Sequence, residues 1–106
     1  MLKHVETKQE FLDLLKNGTV VLVDFYADWC GPCKMLGPVI EEFANEVDPS
    51  KVSVTKVNVD DLEEIAAEYG VYSIPTIILF KNGEVADKLV GYRPKEHFHK
   101  AVQKLL

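Results

Sequence analysis

Cys30 and Cys33 are the only cysteines of the chain, and both lie in one heptapeptide, DWCGPCK, from Asp28 to Lys34. Such a pair can serve as a structural disulfide, a metal clip or a dithiol that changes oxidation state. As a staple it is weak. Closing a loop of four residues stabilises a fold by only about 2 kcal/mol, before any strain is subtracted. A zinc or iron–sulfur site normally takes four protein ligands, and the chain adds only three histidines to its two cysteines. His97 and His99 are two apart in a helical pattern and so do not face each other, and His4 is distant. Thiol–disulfide exchange is therefore the leading reading, beside a metal site shared between two chains and incidental structural thiols.

A second residue of chemical interest is Asp24, the one polar interruption of the apolar run VVLVDFYA just before the cysteines. A carboxylate there must be protonated, hydrogen-bonded or paired. A functional role and a structural hydrogen bond are the two readings open for it. Trp29, next to the first cysteine, suits either core packing or a partly exposed surface for substrate.

The rest of the chain must position these groups. Its 106 residues are 47% apolar and 27% charged, the profile of a single domain, 1–106, that forms a core without a staple. A formal charge of -5 argues against general attraction to nucleic acid or anionic lipid, leaving proteins or small molecules as partners. No apolar run is long enough to cross a bilayer, and MLKHVETKQE lacks the apolar region of a secretory segment. Two closely spaced cysteines fit a cytosolic redox or metal site better than a secreted disulfide scaffold, so a cytoplasmic location is expected.

Periodicity supplies the elements. A short strand around Val5 precedes a helix in TKQEFLDLLKNG, with Thr7 and Glu10 as a capping box, Phe11, Leu12, Leu14 and Leu15 inward, and Gly18 as the stop. TVVLVDFYA reads as a strand buried on both faces. From about Cys33 to Val47, Leu36, Val39, Ile40, Phe43, Ala44 and Val47 form a helical stripe, in which Pro38 predicts a kink. KVSVTKVNV is the next strand, and Asp61 with Glu64 opens a helix ending at Gly70. VYSIPTIILF leads into a fourth strand, Asn82-Gly83 marks a hairpin, VADKLVG is a fifth strand, and Pro94 begins a last helix burying Phe98, Ala101, Val102 and Leu105. The order βαβαβαββα predicts an α/β fold with a mainly parallel sheet, helices on both faces and a final antiparallel pair. WCGPC then lies between a buried strand and a helix N-terminus, where unpaired amides and the helix dipole stabilise a thiolate. Lys34 adds positive potential, and Gly31 and Pro32 shape the turn between the sulfurs.

Taken together, VDFYADWCGPCKM, Lys56 in the middle strand, SIPT, FKNGE and VGY occur in the order and spacing of the thioredoxin family, which the chain resembles over essentially its full length. The resemblance implies the thioredoxin fold, a mixed five-stranded sheet flanked by four helices. It implies that Cys30 is an exposed, low-pKa nucleophile and Cys33 a more buried resolving thiol. Asp24 is implied to relay a proton to or from Cys33, with Lys56 tuning it, although Lys56 also suits a snorkelling surface residue. Most X-Pro bonds are trans, yet the resemblance implies a cis Ile74-Pro75 bond against the CGPC loop. Gly91 after Val90 resembles a glycine that admits substrate, beside a plain structural role at a strand end. Trp29, Gly31, Pro32, Ile74, Pro75, Val90 and Gly91 would then form a shallow docking surface for many proteins.

The implied function is general reduction of protein disulfides by a Cys30/Cys33 dithiol in a monomer with no bound metal or organic cofactor. NADPH enters indirectly, through a flavin-dependent thioredoxin reductase. Ribonucleotide reductase, peroxiredoxin and methionine sulfoxide reductase are implied substrates. An oxidase or isomerase of the same fold, and a redox-independent binding subunit, are the alternatives. Three departures bear on partner fit: Tyr26 stands where bacterial members often carry Trp, Tyr72-Ser73 replace a more familiar Arg-Gly, and Tyr92 borders the docking rim.

Overall fold

The computed structural model describes residues 2–17 and 19–106, so Gly18, the expected helix stop, lies outside the described residues. The elements are β1 (Leu2–His4), α1 (Lys8–Leu15), β2 (Val20–Tyr26), α2 (Gly31–Glu46), β3 (Val52–Asn58), α3 (Glu63–Glu68), β4 (Thr76–Lys81), β5 (Glu84–Val90) and α4 (Lys95–Gln103), in the expected order βαβαβαββα. They build one five-stranded sheet with strand order β1-β3-β2-β4-β5.

The sheet is less parallel than the sequence reading anticipated. β1 and β2 run parallel to β3, whereas β4 is antiparallel to both β2 and β5. β3 ends at Asn58, opposite Tyr26, and β4 starts at Thr76, opposite Phe25, so the chain re-enters the sheet from the end at which β3 left it.

β2 lies at the centre, and alternate side chains feed two cores. Val20 and Leu22 pack with Leu36, Ile40 and Phe43 of α2 and Phe98 of α4. Val21, Val23 and Phe25 pack with Phe11 and Leu14 of α1 and Ile65 of α3. Burial on both faces is why the strand reads as continuously apolar.

Local signals set most boundaries. Thr7 caps α1 by accepting the Glu10 amide at 3.1 Å, while the Glu10 carboxylate accepts the amide of Glu6 at 3.4 Å, one residue before the reciprocal bond of a capping box. α2 runs without a break through Pro38, from Gly31 rather than from about Cys33. α3 departs from expectation at its start, with Leu62 in the cap position and no side-chain cap. Asn58 uses up the intervening residues in a turn, its side chain accepting the Asp60 amide at 2.9 Å and its carbonyl accepting the Leu62 amide at 3.0 Å. Asn82 and Gly83 both have positive φ, 54° and 80°, the geometry of a two-residue hairpin turn. Pro94 caps α4 from one position outside it.

Phe98, at 0% exposure, joins α4 to α2 through an edge-to-face contact with Phe43, their ring centroids 6.1 Å apart. Removing so large a buried ring leaves a cavity as well as lost apolar contact. Phe98→Ala is expected to lower unfolding stability by about 3–5 kcal/mol in a denaturant titration; a loss below about 1 kcal/mol would mean that α4 does not depend on this contact.

Candidate functional site

The cysteine pair sits where β2, whose last residue Tyr26 is half-buried, passes into α2. Ala27 is buried, Asp28 and Trp29 emerge to the surface, and Cys30 is the N-cap of α2. Cys30 and Cys33 are joined as a disulfide with Cα atoms 5.2 Å apart. The Cys33 amide donates to Cys30 Sγ at 3.2 Å, so sulfur occupies the acceptor position that Ser or Asp takes at an ordinary helix N-cap. A thiolate at that position faces unpaired amides and the positive end of a sixteen-residue helix.

One expectation fails for this oxidised pair. Cys30 and Cys33 are 5% and 4% exposed, so neither is the exposed partner. Tyr26, Val59 and Ile74 pack around Ala27 and the two cysteines. Cys30 Sγ comes within 3.7 Å of the Ile74 carbonyl oxygen. What separates the cysteines is position on the helix: Cys30 is its cap, and Cys33 lies within its first turn.

The Ile74-Pro75 peptide is cis, as the family resemblance implied. The Gly91 amide donates to the Pro75 carbonyl at 2.9 Å, and Val90 is paired with Thr76. These contacts bring three separate segments, CGPC, Ile74-Pro75 and Val90-Gly91, to one end of the sheet. Gly91 has φ 89°, and a Cβ added there would meet nothing within 4 Å, so the conformation selects glycine and the space above it is open. Around the disulfide, Trp29, Gly31, Pro32 and Val90 are exposed, Ile74 and Gly91 half-buried, and Pro75 buried.

Trp29 is 71% exposed, and its Nε1 donates to Asp60 Oδ2 at 2.9 Å. The sequence reading missed Asp60, because nothing local to NVDD points toward a tryptophan 31 positions away. Met35, 65% exposed, was also missed. Its signal was present, as a large apolar residue lying off the buried stripe of α2.

In β2, ahead of the cysteines in the chain, Asp24 is 1% exposed, and neither carboxylate oxygen has a hydrogen-bond partner among the described residues. Burial pushes its pKa up to about 7, with the charge of Lys56 pulling the other way. Lys56 is the register partner of Asp24 across β2 and β3, yet its ammonium lies over the Tyr26 ring, 4.2 Å from the centroid. A cavity of about 370 Å³ lined by Tyr26, Asp28, Cys33, Lys34, Gly37 and Lys56, among others, opens beside these groups. The cysteine pair can therefore store two electrons as a dithiol, and the strand that leads into it carries a buried carboxyl whose pKa burial raises to about 7.

With this geometry in place, the comparisons fall in one direction. The family model described as Thioredoxin matches residues 3–104. The chain is 49% identical over 94 residues to a thioredoxin of Mycoplasmoides gallisepticum, covering 89% of this chain and 92% of that one. It is 47% identical over 100 residues to a thioredoxin of Bacillus subtilis, covering 94% of each. Among solved structures, a mutant thioredoxin from Halobacterium salinarum superposes with a TM-score of 0.89 at 38% identity, covering 97% of this chain and 88% of that one.

Proposed function

This chain belongs to the thioredoxin family, and from that premise we propose that its thiol–disulfide oxidoreductase chemistry runs chiefly as reduction of disulfides in other proteins. The observation that carries this reading is the Cys30–Cys33 disulfide capping α2, with the Ile74 carbonyl 3.7 Å from the Cys30 sulfur. In the reduced protein, the Cys30 thiolate attacks one sulfur of a substrate disulfide. A Cys30–substrate bond forms, and the other substrate sulfur leaves as a thiolate that takes up a proton. Cys33 then gives its proton to the Asp24 carboxylate and attacks Cys30 Sγ. The Cys30–Cys33 bond forms as the second substrate thiolate leaves, so two electrons have passed to the substrate. The short spacing places the resolving sulfur beside the mixed disulfide from the outset.

Support for Asp24 as the proton acceptor is its burial in the strand that leads into the pair and a pKa raised to about 7, where it is part base and part acid. Lys56 tunes that titration by charge. Trp29, Gly31, Pro32, Ile74, Pro75, Val90 and Gly91 form the docking surface, with the Ile74 backbone offered to an extended substrate segment. The oxidised pair is returned to the dithiol by a flavin-dependent thioredoxin reductase drawing on NADPH. Ribonucleotide reductase, peroxiredoxins and methionine sulfoxide reductases are the proposed protein substrates, in a reducing cytoplasm, with the chain acting as a monomer.

An NADPH-coupled insulin-reduction assay with a thioredoxin reductase, joined to a redox titration of the Cys pair, tests reaction and direction together. The expected result is NADPH oxidation that depends on both cysteines, and a reducing potential. A potential near that of a strong oxidant would replace this reading with an oxidase, and a partner bound equally well without either cysteine would make the chain a binding subunit.

A further inference from the structure

We propose that Tyr26 is a positioning residue, whose ring holds the Lys56 ammonium on its face and so keeps that ammonium from pairing with the Asp24 carboxylate. The inference rests on the reading of Asp24 as the proton-handling group and adds a residue to it. β2 and β3 run parallel in register, with Asp24 opposite Lys56 and Tyr26 opposite Asn58. Alternate residues share a face, so Asp24, Tyr26, Lys56 and Asn58 project to the same side. A lysine opposite an aspartate is well placed to form an ion pair, yet both Asp24 oxygens are without a partner among the described residues, and Lys56 Nζ sits 4.2 Å from the Tyr26 centroid. A cation over an aromatic face is held by the ring quadrupole, and a partly exposed ring allows this while the ammonium keeps contact with water.

Two cavities favour that outward position. Tyr26 and Lys56 line both the 370 Å³ cavity beside Cys33 and a second one of about 480 Å³ on the β1 side. The ammonium is thus bordered by solvent space, whereas pairing with Asp24 would require it to enter the core. The other charged groups facing these spaces are Asp28 and Lys34 in the first and His4, Glu6 and Asp61 in the second. On its other flank Asp24 is registered against Ile77 of β4, which brings no charge. Lys56 is accordingly the cation placed to control Asp24, and Tyr26 decides how close it comes.

The position of Asp24 on the pH scale, about 7 with Lys56 lowering it only in part, agrees with an ammonium held at a distance. Direct contact with a cation typically lowers a carboxyl by a further unit or more.

The test is titration of the Asp24 carboxyl by carbon-13 NMR in the oxidised protein, where Cys33 carries no proton and cannot couple to it. Tyr26→Phe keeps the aromatic face and is expected to leave the midpoint in place. Tyr26→Leu keeps apolar bulk without that face and is expected to lower the midpoint by about one unit, with Tyr26→Met as a second variant should Leu disturb folding. In a Lys56→Met background the same Tyr26 substitutions should produce no such drop. An unchanged midpoint in both Tyr26→Leu and Tyr26→Met would overturn the proposal. An equal drop without Lys56 would also overturn it, because water entering beside Asp24 would then be the cause. A midpoint that moves only when Lys56 is present, with no matching move in the pH profile of exchange, upholds the positioning role of Tyr26 and rejects Asp24 as the relay.

Discussion

Cys33→Ser is expected to convert the protein from a turnover catalyst into a trap. Mixed with an oxidised substrate, the variant should accumulate a covalent adduct through Cys30, visible on a non-reducing gel and assignable by peptide mass spectrometry. Turnover should fall by at least about 10³-fold, the scale seen when a covalent nucleophile or its partner is removed. The prediction follows from the helix geometry. Cys30 is the cap of α2 and accepts the Cys33 amide at 3.2 Å, a position that favours a thiolate once the pair is reduced, which is the basis for proposing Cys30 as the attacking sulfur. Without Cys33 nothing inside the chain can release the adduct. Cys30→Ser should lose turnover to the same extent and form no adduct. Adducts found only through Cys33, in the reciprocal variant, would reverse the order of the two thiols.

The second large effect belongs to Asp24, where function and stability pull in opposite directions. Its pKa is raised from 3.8 to about 7, mainly by desolvation. Between those values the native state holds a proton that the unfolded chain has released, so stability falls as pH rises through this window. Below 3.8 both states are protonated and the carboxyl carries no charge penalty; above 7 the penalty is complete. At 1.36 kcal/mol per unit, the full penalty is about 4 kcal/mol. Asp24→Asn removes it. The variant should match the parent near pH 4 and become more stable with rising pH, by up to about 4 kcal/mol at pH 8. Equilibrium unfolding of the oxidised proteins at several pH values checks this, and parallel stability curves would show that Asp24 is not a buried titrating group. The resolving step should meanwhile slow by roughly 10- to 100-fold, the low end of general-base effects, because water in the adjoining cavity can take the proton in place of the carboxylate. Exchange rates that match the parent from pH 6 to 9 would remove Asp24 from the proton path.

The elements were legible in the sequence wherever the signal is local. Thr7 with Glu10, the stripe from Leu36 to Ala44, Asn82-Gly83 and the order of elements all depend on residues close along the chain. The misreadings have a common cause. Asp61 did not cap α3 because Asn58 had already folded the preceding turn, and β4 runs against β2 because the chain re-enters the sheet at the end where β3 left it. Capping preferences and strand count contain no information about either. The expected exposure of Cys30 concerns a reactive thiol, whereas as partners in the disulfide both cysteines are buried.

For the site, the division follows distance along the chain. Types and spacing alone point to a dithiol centre at a helix start: two cysteines separated by a glycine and a proline, and a carboxylate in the buried strand before them. Each is a short-range property, set by which backbone groups a helix leaves unpaired and by what burial does to charge. Tertiary structure alone decides what surrounds that centre. It brings the Ile74 carbonyl to within 3.7 Å of Cys30 from 44 positions away, ties the Trp29 indole to Asp60, and turns the Lys56 ammonium onto Tyr26 rather than Asp24. Those contacts depend on strand register and on where connections re-enter the sheet, which emerge only when the whole chain packs.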